Sequence, residues 1–192
     1  MKIGVLAVQG AFIEHEHIIE KIGHEVVEIR QRKDLDGIDG IILPGGESTV
    51  QGQLLRKLDM LATIKSLIAD GLPTLATCAG LILLAGHIDN DDSVHIGTLP
   101  VTVKRNAYGR QLGSFVRTAP MKGFDEFPMI FIRAPYISSI KDNVDVLAAV
   151  NDRIVAVQYN NQIGLAFHPE LSGDTRICLL YTSPSPRDRS VS

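Results

Sequence analysis

The sequence has few cysteines and no long apolar segment. Its two cysteines, Cys78 and Cys178, are too few for a disulfide framework and are typical of a protein in a reducing cytoplasm. The longest apolar runs fall far short of the ~20 residues of a transmembrane helix. An acidic stretch with no cleavage-like site follows the first apolar residues, which indicates a strand and not a signal peptide. We therefore expect a cytoplasmic protein that binds no membrane.

Positive charge is not in excess either. Lysine and arginine number 19 against 22 acidic residues, whereas nucleic-acid-binding proteins carry clustered excess cations. The Gly-x-x-x-x-Gly-Lys-[Ser/Thr] pattern of a nucleotide-binding loop is missing. These absences exclude nucleic acid as a partner and argue against nucleotide binding.

What is present indicates a single α/β domain. The chain has 192 residues, of which 45% are hydrophobic, enough for one core. Aliphatic strand-like segments alternate with helical patterns over roughly the first ninety residues, and short strands separated by turn residues fill the second half. We predict a doubly wound, mixed but mostly parallel sheet flanked by helices, flavodoxin-like, with β-hairpins added at its edge in the second half.

The C-terminal end departs from this pattern. "YTSPSPRDRSVS" is rich in serine, proline and arginine and shows no periodicity. We place the domain at residues 1–177 and interpret residues 178–192 as an atypical low-complexity tail, either disordered or an artefact of the sequence.

Cys78 lies in "PTLATCAGLILLA", between a predicted strand and an apolar, helix-like run. A free cysteine is most often a small buried hydrophobe. Its position at the carboxyl end of a parallel strand also suits a nucleophile on a sharp strand-to-helix turn, which needs small neighbours such as Ala76 and Gly80. The backbone N–H of Ala79 would then face an oxyanion formed at the thiol.

"LPGGES" ends another predicted strand and should lie beside Cys78. Consecutive glycines let backbone N–H groups turn toward a ligand. The same residues also suit a tight strand-to-helix turn with Ser48 as the N-cap, and both interpretations can hold together.

"AFHPE" places His168 and Glu170 on one face at the end of a strand. A thiol nucleophile needs an imidazole to accept its proton and a carboxylate to orient that imidazole. Taken alone, His168 is more often structural. His15 and His17, two residues apart on a helix, cannot converge on one ligand, and His95 is expected to be solvated near a turn.

Together, "LPGGES", "TCAG" and "FHPE" resemble the class I, triad-type glutamine amidotransferases. Within that group, "VQGAFIEH", "ILPGGEST", "KRNAYGRQ" and "FIRAP" resemble the glutaminase subunits of pyridoxal 5′-phosphate synthase. The similarity extends from Lys2 to about Arg176.

The resemblance implies hydrolysis of L-glutamine to glutamate and ammonia, without a cofactor or metal ion. Cys78 would attack the side-chain amide, His168 would move protons and Glu170 would orient His168. The backbone of Gly46 and Ala79 would form the oxyanion hole. The implied substrate contacts are Gly46, Glu47, Ser48, Arg105, Ile132 and Arg133.

The resemblance also implies a partner. The ammonia would pass to a synthase subunit (PdxS) within a large symmetric hetero-oligomer. Three alternatives stay open: the glutaminase of another synthase, such as imidazole glycerol phosphate synthase; a non-catalytic flavodoxin-like binding module; and a cysteine peptidase. A binding module predicts that Cys78 and His168 do not meet, and a peptidase needs an open substrate groove.

Overall fold

One mixed sheet forms the centre of the computed structural model, which describes residues 1–105 and 113–182. Strands and helices alternate in the first half of the chain. The strands are β1 (Lys2–Leu6), β2 (Glu25–Ile29), β3 (Gly40–Leu43) and β4 (Thr74–Thr77). The helices are α1 (Ile13–Lys21), α2 (Ser48–Lys57) and α3 (Leu61–Ala69). Strands β3 and β4 are buried along their whole length, as expected for parallel strands covered on both faces.

The second half is rich in strands. Its helices are α4 (Ala79–Leu84) and α5 (Arg176–Thr182). Its strands are β5 (Ala85–Ile88), β6 (Leu99–Lys104), β7 (Ser114–Met121), β8 (Phe124–Ile132), β9 (Tyr136–Ile140), β10 (Asp145–Val150), β11 (Arg153–Tyr159) and β12 (Gln162–Leu165). The apolar run after Cys78, which looks helical in the sequence, is therefore split between a short helix and a strand.

Within the described residues, ten strands form one sheet in the order β2-β1-β3-β4-β12-β11-β9-β6-β5, and β10 pairs with β11. The pairs among β1, β2, β3, β4 and β12 are parallel, and those that join β12, β11, β9 and β6 are antiparallel. The predicted fold class, a mixed and mostly parallel sheet flanked by helices, is confirmed.

The expectation that the second half only adds hairpins at the edge is wrong for β12. This strand lies inside the sheet beside β4, with Gly164 opposite Ala76. A Cβ atom at Gly164 would come within 2.8 Å of the Leu81 Cδ1 atom, so glycine allows α4 to pack closely on β12. The hairpin β7–β8 forms a separate two-stranded sheet.

Helix α5 closes the described chain. Ile177, Cys178 and Tyr181 are buried, and the Tyr181 hydroxyl lies 2.9 Å from the Ile41 carbonyl oxygen and 2.8 Å from that of Pro73. The sequence-based boundary at residue 177 therefore falls inside this helix, and residues 178–182 pack with the domain. The rest of the proposed tail, residues 183–192, lies outside the described residues.

Among the described residues, no helix combines the length and the apolar character needed to cross a lipid bilayer.

Candidate active site

The candidate site lies where three neighbouring parallel strands end. β3 leads into residues 44–47, β4 leads into Cys78, and β12 leads through Ala166 and Phe167 to His168. Because β12, β4 and β3 are adjacent and parallel, their carboxyl ends lie at the same edge of the sheet, the usual place for ligand sites in α/β proteins.

Cys78 has a strained backbone. Its φ is +51° and its ψ is −104°, in a region that residues with a Cβ atom rarely adopt. The Cys78 N–H donates to the Leu165 carbonyl oxygen at 2.8 Å, which ties the turn to β12. A Cβ atom at Gly80 would lie 2.1 Å from the Leu43 carbonyl oxygen, so only glycine lets α4 leave the turn this close to β3. The predicted strand-to-helix elbow is present.

His168 and Glu170 form a short, buried pair. His168 is 6% exposed and so is Glu170. The backbone N–H of His168 donates to the Ile130 carbonyl oxygen at 2.8 Å. The 3-10 turn Pro169–Leu171 then brings the Glu170 side chain next to the His168 ring. The His168 Nδ1–H donates to Glu170 Oε1 at 2.6 Å. Because Nδ1 is bound to Glu170, the Nε2 atom of His168 is left for the thiol.

The pKa values of His168 and Glu170 depend on each other and on their neighbours. Burial alone would lower the pKa of His168, but hydrogen bonding and electrostatic attraction with Cys78 and Glu170 raise that pKa to about 10. Burial would raise the pKa of Glu170, but its hydrogen bond with His168 and the proximity of His15 hold it below its ordinary value. His168 is therefore an imidazolium next to an ionised carboxylate at neutral pH.

The two consecutive glycines lie against His168. A Cβ atom at Gly45 would come within 2.5 Å of the His168 Cε1 atom. Gly46 has a φ of +155°, which favours glycine. The Ala11 N–H donates to the Gly45 carbonyl oxygen at 3.1 Å. Because the two polar groups of one peptide point in opposite directions, the Gly46 N–H points away from Ala11.

The rest of "GGES" begins α2 and meets an arginine. The N-cap is Glu47 and not Ser48: its carboxylate accepts from the Thr49 N–H at 3.3 Å and from the Val50 N–H at 2.8 Å. Ser48 is buried, and its Oγ accepts from Arg105 Nη2 at 3.0 Å. The motif "KRNAYGRQ" continues into residues 106–111, which lie outside the described residues.

The last two predicted substrate contacts lie at the end of β8. The Cys78 Sγ atom is 3.9 Å from the Ile132 carbonyl oxygen, so this segment passes directly over the thiol. Arg133 is exposed and has a φ of +44°. The structure therefore brings Cys78, His168, Glu170 and Ile132 into one cluster, with Arg133 next along the chain.

Sequence reasoning missed two buried histidines. His95, expected to be solvated, is 8% exposed, and its Nδ1 atom lies 3.1 Å from Arg56 Nη1. His15 is 1% exposed, and its Nε2 atom lies 3.5 Å from Glu170 Oε2. A signal for His15 was available, since Ile18, Ile19 and Ile22 follow it at helical spacing and mark the same face of α1 as apolar.

The chain is similar to known glutamine amidotransferases over most of its length. A model of the SNO glutamine amidotransferase family matches residues 5–183. The pyridoxal 5′-phosphate synthase subunit PdxT of Desulfitobacterium hafniense (strain DSM 10664 / DCB-2) is 59% identical over 178 residues, covering 92% of this chain and 89% of that protein. PdxT of Streptococcus pneumoniae (strain ATCC 700669 / Spain 23F-1) is 51% identical over 181 residues, covering 92% of this chain and 94% of that protein.

Solved structures agree with these matches. The crystal structure of a glutamine amidotransferase superposes with a TM-score of 0.90 at 36% identity, covering 93% of this chain and 96% of that one. The structure of PurLQS from Thermotoga maritima superposes with a TM-score of 0.69 at 19% identity, covering 92% of this chain and 91% of that one. The second likeness supports the fold alone.

Proposed function

Because the chain belongs to the SNO glutamine amidotransferase family, we propose that it hydrolyses L-glutamine to L-glutamate and ammonia as the glutaminase subunit of a pyridoxal 5′-phosphate synthase. The observation that carries the proposal is the cluster of Cys78, His168 and Glu170 at the ends of β4 and β12. A buried imidazole that bonds a carboxylate at 2.6 Å and interacts with a thiol on a strained elbow is an arrangement suited to nucleophilic catalysis.

In the first half of the reaction, Cys78 Sγ forms a bond to the side-chain amide carbon of glutamine. The carbon–nitrogen bond then breaks, and the leaving nitrogen takes a proton from His168 and departs as ammonia. In the second half, His168 accepts a proton from water as the water oxygen attacks the γ-glutamyl thioester. The bond between the carbon and Cys78 Sγ then breaks and glutamate leaves, and the proton that His168 took from water restores the starting state of the Cys78–His168 pair. Glu170 keeps the ring oriented through both halves.

The negative oxygen formed in each half needs hydrogen-bond donors. We assign this role to the backbone N–H groups of Ala79 and Gly46. Ala79 is the first residue of α4, and N–H groups in the first turn of a helix have no partner within the helix. Gly46 follows the peptide whose carbonyl is held by Ala11. Each such donor is worth about 2.7–4 kcal/mol of transition-state stabilisation.

Glutamine itself carries two charges that must be matched. Arg105 and Arg133 suit its α-carboxylate, since a guanidinium can bind a carboxylate through two parallel hydrogen bonds. The Glu47 carboxylate, exposed at the start of α2, suits the α-ammonium group. Ser48 holds Arg105 in position, and the backbone at Ile132 lines the thiol.

The names of the relatives support a synthase partner as well as glutamine. The ammonia would pass to the synthase subunit (PdxS), and we propose a large symmetric hetero-oligomer in the cytoplasm. The 51% and 59% identity to proteins named PdxT favours this partner over that of another synthase. The meeting of Cys78 with His168 argues against a non-catalytic binding module.

The direct test measures glutamate and ammonia release from L-glutamine by the chain mixed with its synthase partner. Wild type should produce both products in equal amounts, and Cys78→Ala should produce neither. Release of peptide fragments from a casein substrate, with no glutamate from glutamine, would instead support the peptidase alternative.

A further inference from the structure

We propose that His15, on α1, is a fourth member of the catalytic network: a neutral imidazole whose Nε2–H holds the second oxygen of the Glu170 carboxylate. The inference rests on the proposed function for its kinetic consequence, but its structural content, a tautomer and a contact, stands independently. His15 would be a positioning residue, since it contacts neither the thiol nor the substrate and would act through Glu170.

His15 faces the Oε2 atom of Glu170, the oxygen that His168 does not contact. Glu170 Oε1 accepts from His168, while Glu170 Oε2 is fully buried and has no hydrogen-bond partner within ordinary distance in the described structure. The polar atom of His15 that faces this oxygen is Nε2, at 3.5 Å. The same Nε2 atom lies 3.3 Å from the Thr77 hydroxyl oxygen. One N–H placed between these two oxygens serves both.

The second oxygen of Glu170, Oε2, is buried and needs a hydrogen-bond donor. The Glu170 side chain is 0% exposed and that of His15 is 1% exposed, so water does not reach either. An ionised carboxylate with an unpartnered oxygen is costly in such an environment. Hydrogen bonds of catalytic groups are often long in the free enzyme and tighten in the reacting complex, which suits a contact of 3.5 Å.

Burial favours the neutral form of His15. Burial lowers its pKa, and the positive charge on His168 lowers it further, although Glu170 and Glu14 oppose both effects. The charged and titratable groups around Glu170 are His168 on its own turn, His15 from α1 and Cys178 from α5. Burial, Glu170 and Asp174 raise the pKa of Cys178 to about 12, and a neutral thiol is only a weak hydrogen-bond donor, so the imidazole of His15 is the stronger donor from outside the triad.

A neutral donor has a definite effect on the triad. The N–H of His15 donates to the carboxylate without placing a second positive charge beside His168. Glu170 therefore stays ionised, and the plane of its carboxylate stays fixed while His168 gains and loses protons. Thr77 precedes Cys78 directly on β4, so the same hydroxyl links this donor to the strand that carries the nucleophile.

The kinetic test compares two amides at position 15 in the complex with the synthase partner. In His15→Gln the amide nitrogen can occupy the place of Nε2, whereas in His15→Asn it is one methylene too short. We expect His15→Asn to lower kcat about ten- to a hundredfold, the equivalent of a hydrogen bond to a charged group, with little change in the KM for glutamine. The acid limb of its pH profile should move to higher pH, because the pKa of Glu170 rises. His15→Gln should recover most of the turnover, and His17→Asn on the exposed face of α1 should behave as wild type.

Equal losses in the Asn and Gln variants, or a folded Asn variant with wild-type turnover, would overturn the proposal. A second measurement needs no variant: the ¹⁵N chemical shifts of His15 in wild type should show a neutral ring protonated at Nε2 at pH 7. A proton on Nδ1 alone, or a charged ring, would overturn the proposal even if His15→Asn fails to fold. If wild type shows this tautomer but no glutaminase activity, the proposed function fails and the contact stands.

Discussion

Replacing Glu170 with glutamine removes one charge from the site and almost no volume. The carboxylate accepts from His168 Nδ1 at 2.6 Å and lies next to His15 Nε2. An amide at this position presents one oxygen and one nitrogen, so either His168 or His15 faces a donor instead of an acceptor. Glu170 also helps to raise the pKa of His168, and that contribution disappears with the charge.

The expected effect on turnover is large. A triad in which the orienting carboxylate becomes an amide loses about 10⁴-fold in kcat in a serine protease, because the imidazole adopts the wrong tautomer. We expect Glu170→Gln to lose at least about 10²-fold in kcat, somewhat less than that case, because a cysteine thiol is intrinsically more nucleophilic than a serine hydroxyl and depends less on the general base. The assay is glutamate release at saturating glutamine in the synthase complex. Glu25→Gln, an exposed carboxylate at the start of β2, is the matched control.

The effect on stability depends on pH in a defined direction. The pKa of Glu170 lies below its ordinary value near 4.5, so the carboxylate contributes stability above that pH and loses the contribution as pH falls through its folded-state pKa. A buried hydrogen bond to a charged group is worth about 1.5–3 kcal/mol. Glu170→Gln should therefore lower the free energy of unfolding by about this amount at pH 7 and by less near pH 4. Near-normal turnover, or a stability difference that grows toward low pH, would refute the reasoning.

The remaining predictions concern the second cysteine, the closing helix and the partner. Cys178→Ala should keep full glutaminase activity, since burial, Glu170 and Asp174 raise the pKa of this thiol to about 12 and leave it unreactive; a loss as large as that of Cys78→Ala would contradict the assignment of the nucleophile. Tyr181→Phe should lower the free energy of unfolding by about 1–3 kcal/mol, because the buried hydroxyl donor next to the Ile41 and Pro73 carbonyl oxygens is lost, while kcat stays unchanged; a denaturant titration that matches wild type would show that α5 is not anchored this way. The isolated chain should turn over glutamine more slowly than the complex, since breaking the hydrogen bond from the Ala11 N–H to the Gly45 carbonyl oxygen lets the Gly45–Gly46 peptide rotate, and partner binding would keep the Gly46 N–H directed at the oxyanion; equal rates would refute activation by the partner.

The parts of the site that follow strand ends could be predicted from the sequence. Cys78 and the glycines of "LPGGES" each come directly after an aliphatic strand segment of the first half, and the carboxyl ends of parallel strands share one edge of a sheet. Only the resemblance of the motifs to a known family predicts that His168 joins them, since the pattern of its strand indicates an edge hairpin. The spacing of His168 and Glu170 predicts that they pair on one face of a strand, but β12 ends at Leu165 and the 3-10 turn Pro169–Leu171 brings the two side chains together instead. Local pattern and topology were sufficient for the elbow at Cys78 and the glycine turn beside it, but not for this turn.

Contacts between distant segments could not be predicted in the same way. The contact of His15 with Glu170 depends on which face of α1 packs against the turn at residues 169–171, and the isoleucine pattern gave the face but not its neighbour. β12 joins the sheet interior through a long-range parallel pairing with β4. Tyr181 lies in a stretch of low-complexity appearance, yet its hydroxyl reaches the Ile41 and Pro73 carbonyl oxygens across the fold.

The central claim is that Cys78 is the nucleophile of a glutaminase, and trapping the covalent intermediate tests it most directly. The complex would be mixed with L-glutamine, quenched in acid during turnover, digested and analysed by mass spectrometry. The account predicts a γ-glutamyl thioester on the peptide that contains Cys78 and an unmodified peptide that contains Cys178. Steady glutamate production with the adduct on another residue, or with undiminished rate in Cys78→Ala, would contradict it.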